Sequence, residues 1–336
     1  MGIDLPLIWA VIIAFGVMMY VIMDGFDLGI GILFPFIKDR QERDAMVNTV
    51  APVWDGNETW LVLGGAALFA AFPLAYGLLL SALYLPLMFM LAGLIWRGVS
   101  FEFRFKASDR HKPFWDKAFA CGSYVATFSQ GVALGAFING FELDGTTFTG
   151  TALDCFTPFS IFTGFALLFA YALLGSTWLI MKTAEDLQRR MRYLAQWISI
   201  ALFFIIVAVS VWTPIMHSQV AERWFKWPNI FWFAPVPLLV VATTWLQVRI
   251  LQKREPHATP FVLSLVLIFL GYSGLAISMW PYVIPPTITI WAAAAPPESM
   301  GFALVGTLLI IPVILVYTAW SYYVFRGKQA VGEGYH

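Results

Sequence analysis

Residues 5–31 read LPLIWAVIIAFGVMMYVIMDGFDLGIG. Nineteen uncharged residues, 5–23, run straight into Asp24 and Asp27, with Pro6 at the very start and a lone Gly16 that a helix tolerates. A segment of about 20 mostly apolar residues is what a membrane-spanning helix needs. Carboxylates placed inside such a helix cost roughly 2.5–3.5 kcal/mol each on insertion scales, so they are functional candidates by default.

The rest of the chain repeats the pattern of the opening. Asp, Glu, Lys and Arg are absent from 5–23, 59–96, 118–141, 155–181, 193–221, 227–248, 256–297 and 299–325. Across 336 residues, 60% are hydrophobic, 17% aromatic and only 12% charged, with a mean hydropathy of +0.76. An ordinary soluble domain carries about 25% charge, so these values describe a polytopic membrane protein. A net charge of zero leaves no basic stripe for nucleic acid. Two cysteines, Cys121 and Cys155, make no disulfide framework.

Continuous apolar runs without alternation favour helices over a β-barrel. Nine spans are expected near 6–37, 50–71, 76–96, 117–139, 157–181, 194–214, 230–250, 258–281 and 299–325, within a single integral membrane domain over 1–336. The long run 59–96 holds parts of two helices turning at Phe72–Tyr76, and 256–297 ends in a loop around Pro285, Pro286, Pro296 and Pro297. The positive-inside rule orients the chain. If the loop after the first span is cytoplasmic, eighteen of the 20 basic residues lie inside, Arg97 and Arg104 among them, and only Arg223 and Lys226 lie outside. The N-terminus is then periplasmic and the C-terminus cytoplasmic. The first span lacks the basic start and small-residue cleavage site of a signal peptide, which predicts an uncleaved helix.

The acids concentrate in two neighbouring segments, MDGFDLG at 23–29 and WDGNETW at 54–60. In each, two acids three apart share a helix face, and the short connection makes the helices antiparallel neighbours. Asp24, Asp27, Asp55 and Glu58 are thus expected in one inter-helix zone. Counted from Ile37 at about 1.5 Å per residue, Asp27 lies roughly 15 Å inward and Asp24 roughly 20 Å, with Asp55 nearer the cytoplasm. Acids in a line are what a proton pathway needs, with Asn57, Thr59 and water completing it; Gly25, Gly29 and Gly31 allow close helix approach. The competing reading is structural: such acids serve equally as helix caps or as partners for Arg97 or Arg104, and spacing alone divides the two evenly. Asp27 is the leading candidate and Glu58 the weakest.

Histidine is scarce. His111, His257 and His336 fall in inner loops or at the terminus, and His217 at an outer helix end. None suits the axial position of a buried haem, and Met18, Met19, Met88 and Met90 read as packing or lipid-facing residues. The chain is expected to bind no haem and no metal. The 15 tryptophans suit interfacial anchoring.

DGFDLGIG at 24–31, APVWDGNETWLVLGGAALFAAFP at 51–73, RGVSFEFR at 97–104, WPYVIPP at 280–286 and IPVILVYTAWSYYVFRGK at 311–328 closely resemble subunit II of the cytochrome bd-type quinol oxidases. The resemblance covers essentially the whole chain, which looks like the compact, cyanide-insensitive branch. It implies an all-α subunit with nine transmembrane helices, as two four-helix bundles plus one peripheral helix, in a bacterial inner membrane. It further implies a partner, subunit I, that carries haems b and d (or a b-like variant) and the quinol site. The complex would oxidise quinol, reduce oxygen to water and take protons from the cytoplasm. Small single-helix accessory subunits and a structural quinone are further implications, without residues assigned. The family's acidic path residues correspond here to Asp24, Asp27 and Asp55, while Glu58 stands where relatives can have a non-acid. Two other readings of the same acids are an ion-coupled secondary transporter and a purely structural membrane subunit.

Overall fold

The computed structural model describes residues 3–253 and 258–329; Arg254, His257 and His336 lie outside them. Twelve helices dominate: α1 (Leu5–Leu33), α2 (Arg40–Asn48), α3 (Trp54–Ala71), α4 (Pro73–Lys106), α5 (Lys112–Asn139), α6 (Pro158–Lys182), α7 (Glu185–Met216), α8 (Ser218–Phe225), α9 (Asn229–Phe233), α10 (Pro235–Leu251), α11 (Thr259–Met279) and α12 (Pro297–Val324). Seven of the long helices open with proline at the first or second position, where its fixed φ fits and its missing N–H costs nothing. Thr157 and Ser160 form a capping box at the start of α6.

Among the described residues, eight helices are long and apolar enough to cross a membrane. The chain is a mostly helical, polytopic membrane protein. The helix over the expected second span, α3, is not among the eight: it has 18 residues, and Asp55, Asn57 and Glu58 occupy its first turn and a half. The expected seventh span is present as one apolar segment, Asn229–Leu251, in which α9 gives way to α10 at Ala234, just before Pro235, which cannot donate a backbone hydrogen bond.

Two further departures from the sequence reading matter for the site. The α4 helix does not end near residue 96 but continues to Lys106, so Arg97 and Arg104, placed in a loop by charge counting, are helical and 1% and 2% exposed. The connection between α1 and α3 is not a plain loop either. It carries α2, whose Asp39 cap accepts from the Glu42 N–H at 2.9 Å, and it is tied down by ions. Arg43 and Arg104 share Asp116, at 2.9 and 2.7 Å, Arg104 also reaches Asp44 at 2.7 Å, and Arg190 of α7 holds Glu42 at 2.8 Å.

Helix α1 is the hub, packing against α3, α5 and α6 and touching α11 and α12. The α3–α4–α5 series returns to α1, and the α6–α7–α10–α11 series returns to α6, while α12 lies against α3 and α1. The α1–α6 crossing is backbone to backbone. A Cβ on Gly29 would stand 1.9 Å from the Tyr171 carbonyl oxygen, and one on Gly175 would stand 2.5 Å from the Gly29 carbonyl carbon. On the side opposite α2, two short antiparallel hairpins pair Leu143–Asp144 with Thr147–Phe148 and Tyr282–Ile284 with Ile288–Thr289. Gly140, at φ +79°, lets the end of α5 approach the Pro285 carbonyl, where a Cβ would meet it at 2.6 Å.

Candidate functional site

The acids of α1 meet the acid of α3 around one guanidinium. Arg97 Nη1 lies 2.8 Å from Asp24 Oδ1, with both side chains 1% exposed. Its Nη2 donates to Glu58 Oε1, and the cation lies 5.8 Å from the centre of the Trp54 ring, a cation–π contact. Glu58 therefore turns inward to a base, although its side chain stays 29% exposed.

Asp27 is differently placed. It is 1% exposed, and its Oδ2 accepts from Asn57 Nδ2 at 2.7 Å, while its Oδ1 is buried with no hydrogen-bond partner. The same Asn57 amide nitrogen donates to the Met23 carbonyl at 3.2 Å. Asn57 Oδ1 in turn accepts from the Tyr322 hydroxyl at 2.8 Å. Thus Asp24 faces a cation, and Asp27 one turn later faces a neutral amide.

A second polar chain runs along the inner face of α1 away from the α2 side. The Tyr171 hydroxyl of α6 donates to Gln130 Oε1 of α5 at 2.9 Å, and Gln130 Nε2 donates to the Tyr20 hydroxyl at 2.7 Å. Tyr20, one turn before Asp24, lies beside that carboxylate. The expected zone of four carboxylates is accordingly a zone of three. Asp24, Asp27 and Glu58 converge with Asn57, whereas Asp55 is exposed in the first turn of α3. There it is placed to complement the helix dipole.

Asp27 sits nine residues before the end of the first apolar segment, Leu5–Phe36. Asn57, bonded to Asp27, is the fourth residue of α3, and Tyr322 is two residues from the end of α12. Asp27 therefore lies near the level where these two helices end. The final turns of α1 run on past it, into contact with the short 3-10 turn Phe34–Phe36 and with α5.

Asp24, Asp27, Asn57 and Glu58 were visible in the sequence as acids and amide at helical spacing. Arg97 was visible only as a possible counterion. Tyr20, Gln130, Tyr171 and Tyr322 were missed, since a lone tyrosine or glutamine in an apolar helix resembles any packing residue. Tyr20, four before Asp24, offered the one local signal.

Among the described residues, no group of three or more His, Cys, Asp or Glu side chains could hold a metal ion. His111 is exposed and shares a 2.9 Å hydrogen bond with Ser108, and His217 caps the end of α7. The His217 Nε2 is buried without a hydrogen-bond partner.

The sequence profile described as Cytochrome bd terminal oxidase subunit II matches residues 5–325. The chain belongs to that family. Among its relatives, the "Probable cytochrome oxidase subunit 2" of Haemophilus influenzae is 30% identical, covering 96% of this chain and 95% of that protein. The "Cytochrome bd-I ubiquinol oxidase subunit 2" of Escherichia coli is 28% identical over 96% of this chain and 95% of its own length. The "Cytochrome bd ubiquinol oxidase subunit 2" of Bacillus subtilis is 28% identical over 97% of each. A chain of the bd oxidase from Geobacillus thermodenitrificans shares the fold, with a TM-score of 0.75 at 17% identity over 96% of this chain and 99% of that one. This subunit II chain is thus a multi-pass protein of the bacterial inner membrane and part of a terminal oxidase complex with a subunit I.

Proposed function

We propose that this chain is the haem-free subunit of a quinol-oxidising, oxygen-reducing complex, in which it stabilises the haem-bearing subunit I and supplies a proton-uptake path from the cytoplasm. The observation that carries this reading is the charge count at the α1–α3 contact. Among the described residues, Asp24 and Glu58 pair with the one guanidinium of Arg97, and Asp27, a turn along α1 from Asp24, has only the neutral Asn57 amide. Ionised together the three carboxyls would leave two uncompensated negative charges, with Asp24 and Asp27 fully buried, where even a compensated pair is costly. A site so built favours holding a proton and exchanging it. Asp27, with a neutral amide partner and one free oxygen, is the group best placed to do so.

In this reading α3 is a ninth span, shortened by the polar residues of the site. The closed series α1–α3–α4–α5 and α6–α7–α10–α11 are the two four-helix bundles, with α12 peripheral. The N-terminus faces the periplasm and the C-terminus the cytoplasm, as the basic residues argue. Protons then enter near Asp55, exposed at the start of α3, and pass by Glu58 to Asp27 and Asp24. Haem in the complex supplies electron transfer and oxygen chemistry, and belongs to the partner. The ion pairs of Arg97 favour a second reading for Asp24 and Glu58 alone, as fixed counterions rather than carriers.

The test is Asp27→Asn in the assembled oxidase, with quinol-dependent oxygen consumption and proton uptake measured at wild-type haem content. Slowed turnover and uptake are expected. Unchanged rates would defeat the proton-path assignment and leave the acids a structural role.

A further inference from the structure

Helix α12 is the least enclosed long helix, with Met300 its one fully buried residue. Its last turn nevertheless completes the carboxylate site. The Tyr322 ring is seated edge-on against Phe26 and Trp178, at 6.4 and 6.0 Å between centres. Just beyond it, Lys182 Nζ at the end of α6 donates to the Phe325 carbonyl at 2.6 Å and sits 5.2 Å over the Trp178 ring. The Gln329 N–H returns the tie, donating to the Lys182 carbonyl at 2.7 Å. A nearly bare helix is thus pinned at the turn that donates to Asn57.

What that turn delivers is a hydroxyl proton to Asn57 Oδ1. A carboxamide presents opposite characters at its two ends: an NH2 end stabilises a carboxylate, and an oxygen end accepts from a protonated acid. With Oδ1 engaged by Tyr322, the NH2 end faces Asp27 and the Met23 carbonyl. The charged and titratable groups around Asp27 are Asp24 on its own helix, Glu58 of α3, Arg97 of α4 and Tyr322 of α12. Among the described residues, Tyr322 is the one of these that bonds Asn57 Oδ1, while the Met23 carbonyl accepts from the opposite, NH2 end.

We propose that Tyr322 is a positioning residue for Asp27, its hydroxyl holding the Asn57 carboxamide with the NH2 end toward that carboxyl, so that the peripheral helix α12 presets the charge state from which Asp27 takes up a proton. The proposal rests on the reading of Asp27 as a proton carrier.

The test uses the purified, assembled oxidase. The Asp27 carboxyl band is identified in infrared difference spectra by its loss in Asp27→Asn. In Tyr322→Phe that band is expected to shift in frequency, and turnover to fall about three- to tenfold, the loss of roughly one hydrogen bond, with the quinol KM and haem content unchanged. Tyr322→Phe added to Asn57→Ala is expected to cost nothing more, because the hydroxyl acts through the amide. An unshifted band, or losses that add, overturns the proposal. Should Tyr322→Phe not assemble, Lys182→Met loosens the same turn while keeping the hydroxyl, and an unshifted band there also overturns it. If Asp27→Asn turns over normally, the proton-carrier reading itself has failed. If Asp27→Asn is slow and Tyr322→Phe is normal, only the role of Tyr322 has failed.

Discussion

Replacing Arg97 by glutamine isolates the electrostatics of the site. Arg97 and Asp24 are each 1% exposed and 2.8 Å apart, and removing one partner of a buried ion pair costs about 3–5 kcal/mol, because the other charge is left uncompensated. An upper bound follows from the escape open to Asp24, which is to bind a proton. From an ordinary aspartate value of about 3.9, neutralising a carboxyl at pH 7 costs about 4 kcal/mol, at about 1.36 kcal/mol per pH unit. The expected destabilisation at pH 7 is therefore about 3–4 kcal/mol, falling to about 2 kcal/mol at pH 5.5, where protonation is easier. The second change Asp24→Asn in the Arg97→Gln background removes the fully buried charge and should restore the part of the loss due to Asp24, leaving Glu58, which is 29% exposed. The assay is the midpoint of detergent-induced unfolding of the purified complex at several pH values, for the two single variants and the double. A loss in Arg97→Gln under about 1 kcal/mol, a loss that does not change with pH, or no recovery in the double variant would refute the claim that Arg97 compensates a buried charge.

Other perturbations test the frame around the site. Gly29→Ala puts a methyl 1.9 Å from the Tyr171 carbonyl oxygen, so it should part α1 from α6 and cost about 1–3 kcal/mol, read as a lower thermal-inactivation temperature and reduced assembly. Lys182→Met removes the donor to the Phe325 and Gly327 carbonyls, and is expected to speed tryptic cleavage at Arg326 and Lys328 while the rest of the chain stays resistant. Burial lowers the imidazole pKa of His217, at the end of α7, below the ordinary 6.5. Its contribution to stability is thus fully present above about pH 6.5 and lost as pH falls through the lower folded value. Melting profiles between pH 5 and 8 should accordingly show a smaller acid-side loss in His217→Gln than in the parent.

Much of this was legible in the chain because a membrane simplifies the code. The solvent rejects charge, so charge-free runs gave the long helices, and Asp24, Asp27 and Glu58 stood out as exceptions that needed a partner. Helix ends were harder to read. Arg97 and Arg104 looked like loop residues, because a basic side chain near an apolar border is ordinarily solvated; α4 carries them onward because buried acids, Asp24 and Glu58 for one and Asp44 and Asp116 for the other, wait on neighbouring elements. Asp55 shows the converse error: three-residue spacing puts two acids on one face only approximately, and the packing of α3 takes Glu58 inward and leaves Asp55 outside.

A membrane protein of long helices, its family likeness, and the pairing of acids on α1 and α3 can all be read along the chain. Those follow from composition and from periodicities that act over a few residues. The partner that each acid receives is a matter of packing between distant segments. Tyr322 lies 265 positions from Asn57, Tyr171 lies 41 from Gln130, and Arg97 lies 39 from Glu58. No local preference encodes such distances. They are set by where Gly29 and Gly175 let two helices touch and by how Lys182 holds the end of a third.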